Sequence, residues 1–395
     1  MISVLKSFIK RNKLAYHIYY RIGSALLRFC SLFIHTDPHT VLFISYGGKK
    51  YDDSPRVVYE YMRRHSYFNG FHLVWAFTVP AAYSQIPEAV KVDTPAYFFT
   101  ALRAGFWITN SSASRGLNFK NPATKYYLYE HGMACLKRIG TDILQAQKAY
   151  GLDFQEHFHA VFIEGLQEIP ILSQAWHMDP QIFYPTGLPR NDDLCNFSAD
   201  EQRSLKVQLG IPPGKRVILY APTFRESSRS PDGQNALNIP FHFDRWATAL
   251  GQSYVLLVTA HYEVARLLDS LPKNGFVYNC FQYPILNDLL KVADVLISDY
   301  SSVVFDYSIL ERPIFCYGYD YLVYKNERGF YTDPSALFSH GVIEDEDTLL
   351  NAICSMDYQA ECTYTKSHIK EPYLASYGNA TAKSVQIMFP DMPQQ

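Results

Sequence analysis

The sequence predicts an α/β protein built from two doubly wound, parallel-sheet domains that face a central cleft, with an amphipathic helical segment at the N-terminus. Three observations predict it. Apolar, β-rich runs alternate with helix-like segments, the pattern of strands covered on both faces of a parallel sheet. The alternation runs once up to about residue 190 and restarts beyond residue 195. At 395 residues, 48% of them hydrophobic, the chain can fill two cores.

The elements follow in order. The first 35 residues carry Lys6, Lys10, Arg11, Lys13, Arg21 and Arg28 with no acid, interleaved with Leu, Ile, Phe and Tyr. Cations beside an apolar stripe suit a helix lying at an anionic membrane surface, and they also fit a basic helix packed on the protein's own body. No stretch reaches the roughly 18 apolar residues of a membrane span. From residue 39 the first domain begins. TVLFIS (40–45) reads as a buried strand, and SPRVVYEYMRRH (54–65) as a helix capped by Ser54 with Pro55 in its first turn. FHLVWAF (71–77), VKVD, a helix near 95–105, FWITN (106–110) and KYYLYEHG (125–132) continue the alternation. The second domain, 191–395, opens with a capping box at Ser198 and repeats it through RVILYAPT (216–223), YVLLVTAH (254–261), FVYNC (276–280), DVLISD (294–299) and RPIFCYG (312–318). The boundaries expected are thus 1–38, 39–190 and 191–395.

Composition narrows the function. A formal net charge of −2 argues against nucleic acid as the main partner, because a surface that tracks phosphates leaves a large basic excess. The seven cysteines are scattered, with no CxxC or Cys/His zinc spacing, and read as free thiols of a reducing compartment. No carboxylate cluster has the spacing of a metal site, and no cofactor motif is present. A Walker loop, a GxGxxG turn and a GxSxG elbow are all missing, which leaves NTP hydrolysis, hydride transfer and serine hydrolysis without support.

In doubly wound sheets ligands bind beyond the carboxyl ends of the strands, and four such ends carry chemistry. ISDYSSVVFDY (297–307) sets Ser301 and Ser302 at the start of a helix, a cradle for a phosphate built from hydroxyls and helix-start amides. Ser302 also fits as a plain helix cap. Asp299 and Asp306 would orient the hydroxyls or serve as ordinary acids of a first helical turn. APTFR brings Thr223 and Arg225, a hydroxyl and a guanidinium able to grip a phosphate. LLVTAH ends on His261, placed for proton transfer or charge stabilisation, or simply structural. YLYEHG turns off its strand at Glu130, His131 and Gly132. The first domain would supply a base, the second a diphosphate socket.

These blocks resemble the CDP-glycerol glycerophosphotransferases of teichoic-acid synthesis. The resemblance runs from about residue 40 to about 375 and rests on the order of FISYGGKKYDDSPRVVYEYM, EHGMACLKRIGTD, GLPRNDDL, VILYAPTFRES, LLVTAHYE, DVLISDYSSVVFDY and RPIFCYGYDYLVYKNERGFYTD. It implies a GT-B architecture held peripherally at the cytoplasmic face of the membrane. It further implies a reaction in which an acceptor hydroxyl, on a lipid-linked or cell-surface glycan, attacks the β-phosphorus of CDP-glycerol or a related CDP-alditol and CMP leaves. By resemblance His131 is the general base, His261 stabilises the diphosphate or the leaving CMP, and Thr223, Arg225, Ser301, Ser302 and Arg328 hold the phosphates. Asn110, Gly132, Asp299 and Asp306 would support them, without a metal or cofactor. Phosphoryl transfer is mostly positioning and charge stabilisation, so a site rich in donors suits it.

The chain departs from the family pattern at Glu130, where relatives commonly carry a tryptophan, and at Met133, where they carry a threonine. The stretch 160–180 also lacks the expected serines. The acceptor pocket is therefore expected to differ. Two other readings compete: a GT-B glycosyltransferase using a nucleotide sugar, and a non-catalytic paralogue that keeps the fold.

Overall fold

The structure is a computed structural model and describes residues 12–143, 157–223, 241–259, 271–272 and 274–393. Its centre is two parallel sheets. The first contains β1 (Asp37–Ile44), β2 (His72–Phe77), β3 (Ala89–Lys91), β4 (Ala104–Thr109), β5 (Lys125–Tyr129), β6 (Ala160–Phe162) and β7 (Phe183–Tyr184), in the order β3-β2-β1-β4-β5-β6-β7. The second contains β8 (Arg216–Tyr220), β9 (Tyr254–Val258), β10 (Val277–Asn279), β11 (Val295–Ser298), β12 (Ile314–Tyr317) and β13 (Val342–Ile343), in the order β10-β9-β8-β11-β12-β13. The same topology is thus used twice: each chain half starts in the middle of its sheet, builds to one edge, and crosses over to build the other. The crossover leaves a crevice at the carboxyl ends of β1 and β4 in one sheet, and of β8 and β11 in the other.

Burial explains why the runs read as strands. Val41 to Ile44 have no exposed surface, and Leu42 sits between Val74 of β2 and Trp107 of β4. In the second sheet Leu219 is flanked by Leu257 and Leu296. Each sheet is covered on both faces, which is what a continuous apolar run requires. Aromatic residues fill much of the first core: Trp75 stacks on Phe43 at 5.5 Å and meets Tyr51 and Tyr59 edge-on.

The helix expected from Ser54 begins one residue earlier, spanning Asp53–Arg64 with Asp52 before it. Its start is set by Asp53, whose backbone is left-handed (φ 66°) and whose carboxylate is held by three side chains described below. The C-terminal helix Ala380–Met388 returns to the first sheet. Phe389 packs on Phe68 and Phe106 there, and Ser384 Oγ accepts from Tyr129 at 2.8 Å.

Helix Lys13–Ser31 lies against the first sheet by one face only. Tyr19, Leu27 and Cys30 join the core cluster, and Ser24 Oγ accepts from Asn118 N at 2.9 Å. The other face leaves Leu14, Ile18, Ile22, Leu26 and Phe29 more than half exposed, followed by Leu32 and Phe33. Their three- and four-residue spacing makes one apolar stripe. Among the described residues no helix is long and apolar enough to cross a membrane.

Candidate active site

The carboxyl ends of both sheets open into one cleft, with a cavity of about 510 Å³. Tyr46, Lys49, Lys50, Arg56 and His131 line it from the first sheet; Thr223, Ser301, Ser302 and Arg328 line it from the second. Strand ends far apart in sequence thus share one chamber.

On the first side, β5 ends at Tyr129 and the chain turns through Glu130, His131 and Gly132. The His131 side chain is 56% exposed and its Nδ1 lies 3.3 Å from Glu130 Oε1, whose side chain is only 10% exposed. Burial pushes the Glu130 carboxyl above the ordinary glutamate range, against the pull of His131 and Arg190. Gly132 sits close against the second wall: a Cβ there would overlap the Ser302 hydroxyl as it stands. The two walls touch at this point.

The loop after β1 is held by the end of β4. Tyr46 N donates to Asn110 Oδ1 at 2.8 Å and Gly47 N to Ser111 Oγ at 3.0 Å, while Asn110 Nδ2 reaches Asp53 Oδ2 at 3.0 Å. Tyr46, itself left-handed at φ 47°, donates its hydroxyl to Asp53 at 2.6 Å. Asp53 is fully enclosed; burial raises its pKa, but Arg190, Tyr46, the Ser54 amide and Asn110 together hold it below the ordinary range. Asn110, expected as a supporting residue, fixes the loop that bears Tyr46 through both ends of its amide.

Arg190, from the GLPRND segment between the sheets, is the hub of the cleft floor. Its Nη1 lies 3.3 Å from Asp53 Oδ1 and 3.3 Å from the Glu130 carbonyl, and its Nη2 grips Asp306 at 3.0 and 3.2 Å. Asn191 also donates to Asp306. Asp306 therefore does not orient the serine hydroxyls, as the sequence suggested; it ties the second sheet's helix to the first sheet. Its position three residues into that helix turns it toward the inter-sheet seam.

On the second side, Thr223 N donates to Asp299 Oδ1 at 2.8 Å, the bond that joins the loop after β8 to the end of β11. Ser301 and Ser302 follow. Helix Val303–Ser308 has six residues, and its first three amides are bonded back to Ser301 and Ser302. Val303 N meets Ser301 Oγ at 3.4 Å, Val304 N meets Ser301 O at 3.4 Å, and Phe305 N meets Ser302 O at 3.0 Å. Ser302 makes no side-chain capping bond, so the plain-cap reading is corrected. Ser301 and Ser302 both line the cavity. Arg328 lines the same chamber, anchored by its Nε on the Arg138 carbonyl at 3.0 Å. The segment after His131 pairs with the segment after Arg328, Arg138 N to Gly329 O at 3.0 Å and Tyr331 N to Leu136 O at 2.8 Å. Arg225 and His261 lie outside the described residues.

The structure thus brings His131, Thr223, Ser301, Ser302, Asp306 and Arg328 to the lining of one cavity, with Gly132 against Ser302 at its edge and Asn110 and Asp299 behind it as supports. Reasoning from sequence missed Arg190, Lys49, Lys50 and Arg56. Only the Pro-Arg-Asn-Asp run at a domain junction hinted at the first.

Two doubly wound sheets, a cleft lined with hydroxyls and cations, and a histidine facing them define a group-transfer enzyme for an anionic substrate. The chain belongs to the CDP-Glycerol:Poly(glycerophosphate) glycerophosphotransferase family, whose model matches residues 26–385. It is 32% identical to a teichoic acid glycerol-phosphate transferase of Staphylococcus aureus over 81% of this chain and 84% of that protein. It is 30% identical to a teichoic acid poly(glycerol phosphate) polymerase of Bacillus subtilis over 89% of this chain, spanning about half (48%) of that longer protein. Among solved structures it superposes with a TM-score of 0.82 on a histidine-to-asparagine variant of the wall teichoic acid polymerase TagF soaked with CDPG, at 26% identity over 96% of this chain and 97% of that one.

Proposed function

We propose that the protein transfers a polyol phosphate, with glycerol phosphate as the first candidate, from a CDP-alditol to a hydroxyl of a lipid-linked or cell-surface glycan and releases CMP. The observation that carries this reading is that His131, Ser301, Ser302 and Arg328, from the two sheets, line one cavity. The acceptor oxygen attacks the β-phosphorus, its proton passes to His131, and the bond from that phosphorus to the CMP oxygen breaks. Ser301, Ser302, Thr223 and Arg328 hold the diphosphate and the charge that gathers on the departing CMP, with Arg225 and His261 as further donors. Family membership supports the donor class. The architecture is GT-B, with domains at 39–190 and 191–395 and the C-terminal helix folded back on the first.

The reading is tested by the thermal stability of the purified chain with CDP, CMP, CDP-glycerol, UDP and GDP, followed by CMP release from CDP-glycerol. Stabilisation by the cytidine compounds alone, with CMP release, is expected. Stabilisation by UDP or GDP would favour a nucleotide-sugar transferase. No response to any of them would favour a non-catalytic paralogue.

The same proposal places the protein at the cytoplasmic membrane face through helix Lys13–Ser31. Its exposed stripe, with Lys13, Arg21 and Arg28 on the same helix, supports docking to anionic headgroups. Sedimentation with anionic vesicles should weaken with salt and fall sharply in an Ile22→Glu, Leu26→Glu double variant. Unchanged sedimentation of that variant would exclude this helix as the contact.

A further inference from the structure

We infer that Glu130 is a positioning residue for His131: the two form a carboxylate–imidazole pair that fixes the ring with Nδ1 held at the wall and Nε2 presented to the cleft. The inference rests on the transfer reading above.

Four observations carry it. The two side chains are in contact, 3.3 Å between Nδ1 and Oε1, and uneven in exposure, with the carboxylate 10% and the imidazole 56% exposed. Glu130 does not line the cavity that His131 lines, so it can act on a substrate only through the ring in front of it. Among the described residues, His131 is the one basic side chain within ion-pair distance of this carboxylate. Arg190, the nearest alternative, contacts the Glu130 backbone carbonyl and spends its charge on Asp53 and Asp306.

The physical consequence follows from the imidazole itself. Its two nitrogens sit on opposite edges of the ring, and the one that keeps the proton is set by what the other edge bonds. A carboxylate accepts only, so it selects Nδ1–H and leaves a lone pair on Nε2 for the acceptor hydroxyl. When Nε2 takes that proton, the imidazolium gains a buried counter-charge next to it. The proton comes from the acceptor O–H, its oxygen bonds phosphorus, and CMP carries away the electron pair of the broken P–O bond. Glu130 ends as it began.

The test separates orientation from charge. In full-length protein with ¹⁵N-labelled histidine, the His131 ring signals are assigned by their loss in H131N. Wild type should show the Nδ1–H form at mildly alkaline pH. Glu130→Met, apolar and of similar volume, should shift the ring toward Nε2–H, whereas Glu130→Gln keeps an acceptor and should keep Nδ1–H. With CDP-glycerol and acceptor, Glu130→Gln should lower kcat for CMP release about 10- to 100-fold at unchanged donor KM, and Glu130→Met should lower it further. Wild-type kcat in both variants, or an Nδ1–H ring in Glu130→Met, would overturn the pairing. Circular dichroism checks the fold; should Glu130→Met not fold, the Glu130→Gln kinetics decide. A wild-type protein that releases no CMP would instead refute the transfer reading, and the ring signals, which need no substrate, would still decide the pair.

Discussion

The two crossover points of the molecule solve one structural problem in the same way and then diverge. In the first sheet Asn110, just past β4, accepts from the amide of Tyr46 in the loop after β1; in the second Asp299, just past β11, accepts from the amide of Thr223 in the loop after β8, both at 2.8 Å. Each bond clips together the two loops that border the crevice. Beyond the clip, the first sheet adds buried charge, with Asp53 and Glu130 around Arg190, and presents an imidazole. The second adds hydroxyls and, among the described residues, one cavity carboxylate, Asp306, which pairs with Arg190 from the junction. The same backbone unit, duplicated, thus presents an imidazole on one side and hydroxyls on the other. The difference lies in a few side chains past the strand ends, where function is grafted on a fold.

That division of labour predicts variants that fail in different ways. The largest expected effect is His131→Ala: CMP release falls about 10³-fold, within the range for a general base, while CDP-glycerol still stabilises the protein against heat. Loss of donor binding as well would show that the two walls do not divide the work. Next is Arg190→Ala, which strips the shared hub and leaves Asp53 and Asp306 buried without their counter-charge, held only by neutral donors. We expect a loss of about 3–5 kcal/mol in urea unfolding, the usual cost of breaking a buried pair. A loss below about 1 kcal/mol would mean that water already reaches these carboxylates. Ser302→Ala should be milder and should mirror His131→Ala: a donor affinity weaker by about 10- to 100-fold, one hydrogen bond to a charged group, measured by titration calorimetry with CDP-glycerol.

How much of this the sequence revealed depends on the range of the interaction. Strands such as Val41–Ile44 and Val295–Ser298 are legible because burial on both faces demands unbroken apolar runs. His131, Ser301 and Ser302 are legible as site residues because each stands where such a run stops. Arg190 is not, since its role exists only when the fold brings it to Asp53 and Asp306, 137 and 116 positions away. Asp306 was misjudged for the same reason. Beside the hydroxyls in sequence, it reads as their partner, yet it turns toward an arginine from the other half of the chain. The amides of Val303 to Phe305 are not free for a ligand, because a helix of six residues uses them to close its first turn.

The smallest predicted effect concerns the floor beneath His131 and again sets the first sheet apart from the second. Glu168 is fully buried and accepts from Ala134 N at 2.9 Å, Glu164 N at 2.8 Å and Gly165 N at 2.9 Å, so it anchors the segment that follows the histidine. Burial pushes its carboxyl up to about 7 from an ordinary 4.5, with the nearby Glu130 charge adding to the rise, and this outweighs the three amides. The folded state therefore holds a proton that the unfolded chain has released, and the stability this group contributes is present at pH 4.5 and lost as pH rises through about 7. Glu168→Gln keeps an acceptor oxygen for the amides and removes the titration. Between these pH values its unfolding free energy should change less steeply than wild type, by up to about 1.4 kcal/mol per pH unit, read from urea melts. An identical slope in the two proteins would mean that Glu168 stays ionised and that the three amides, not burial, set its charge. The base-bearing loop would then rest on a permanent anion, and the contrast with the second sheet would rest on Asp53 and Glu130 together with a third fixed charge.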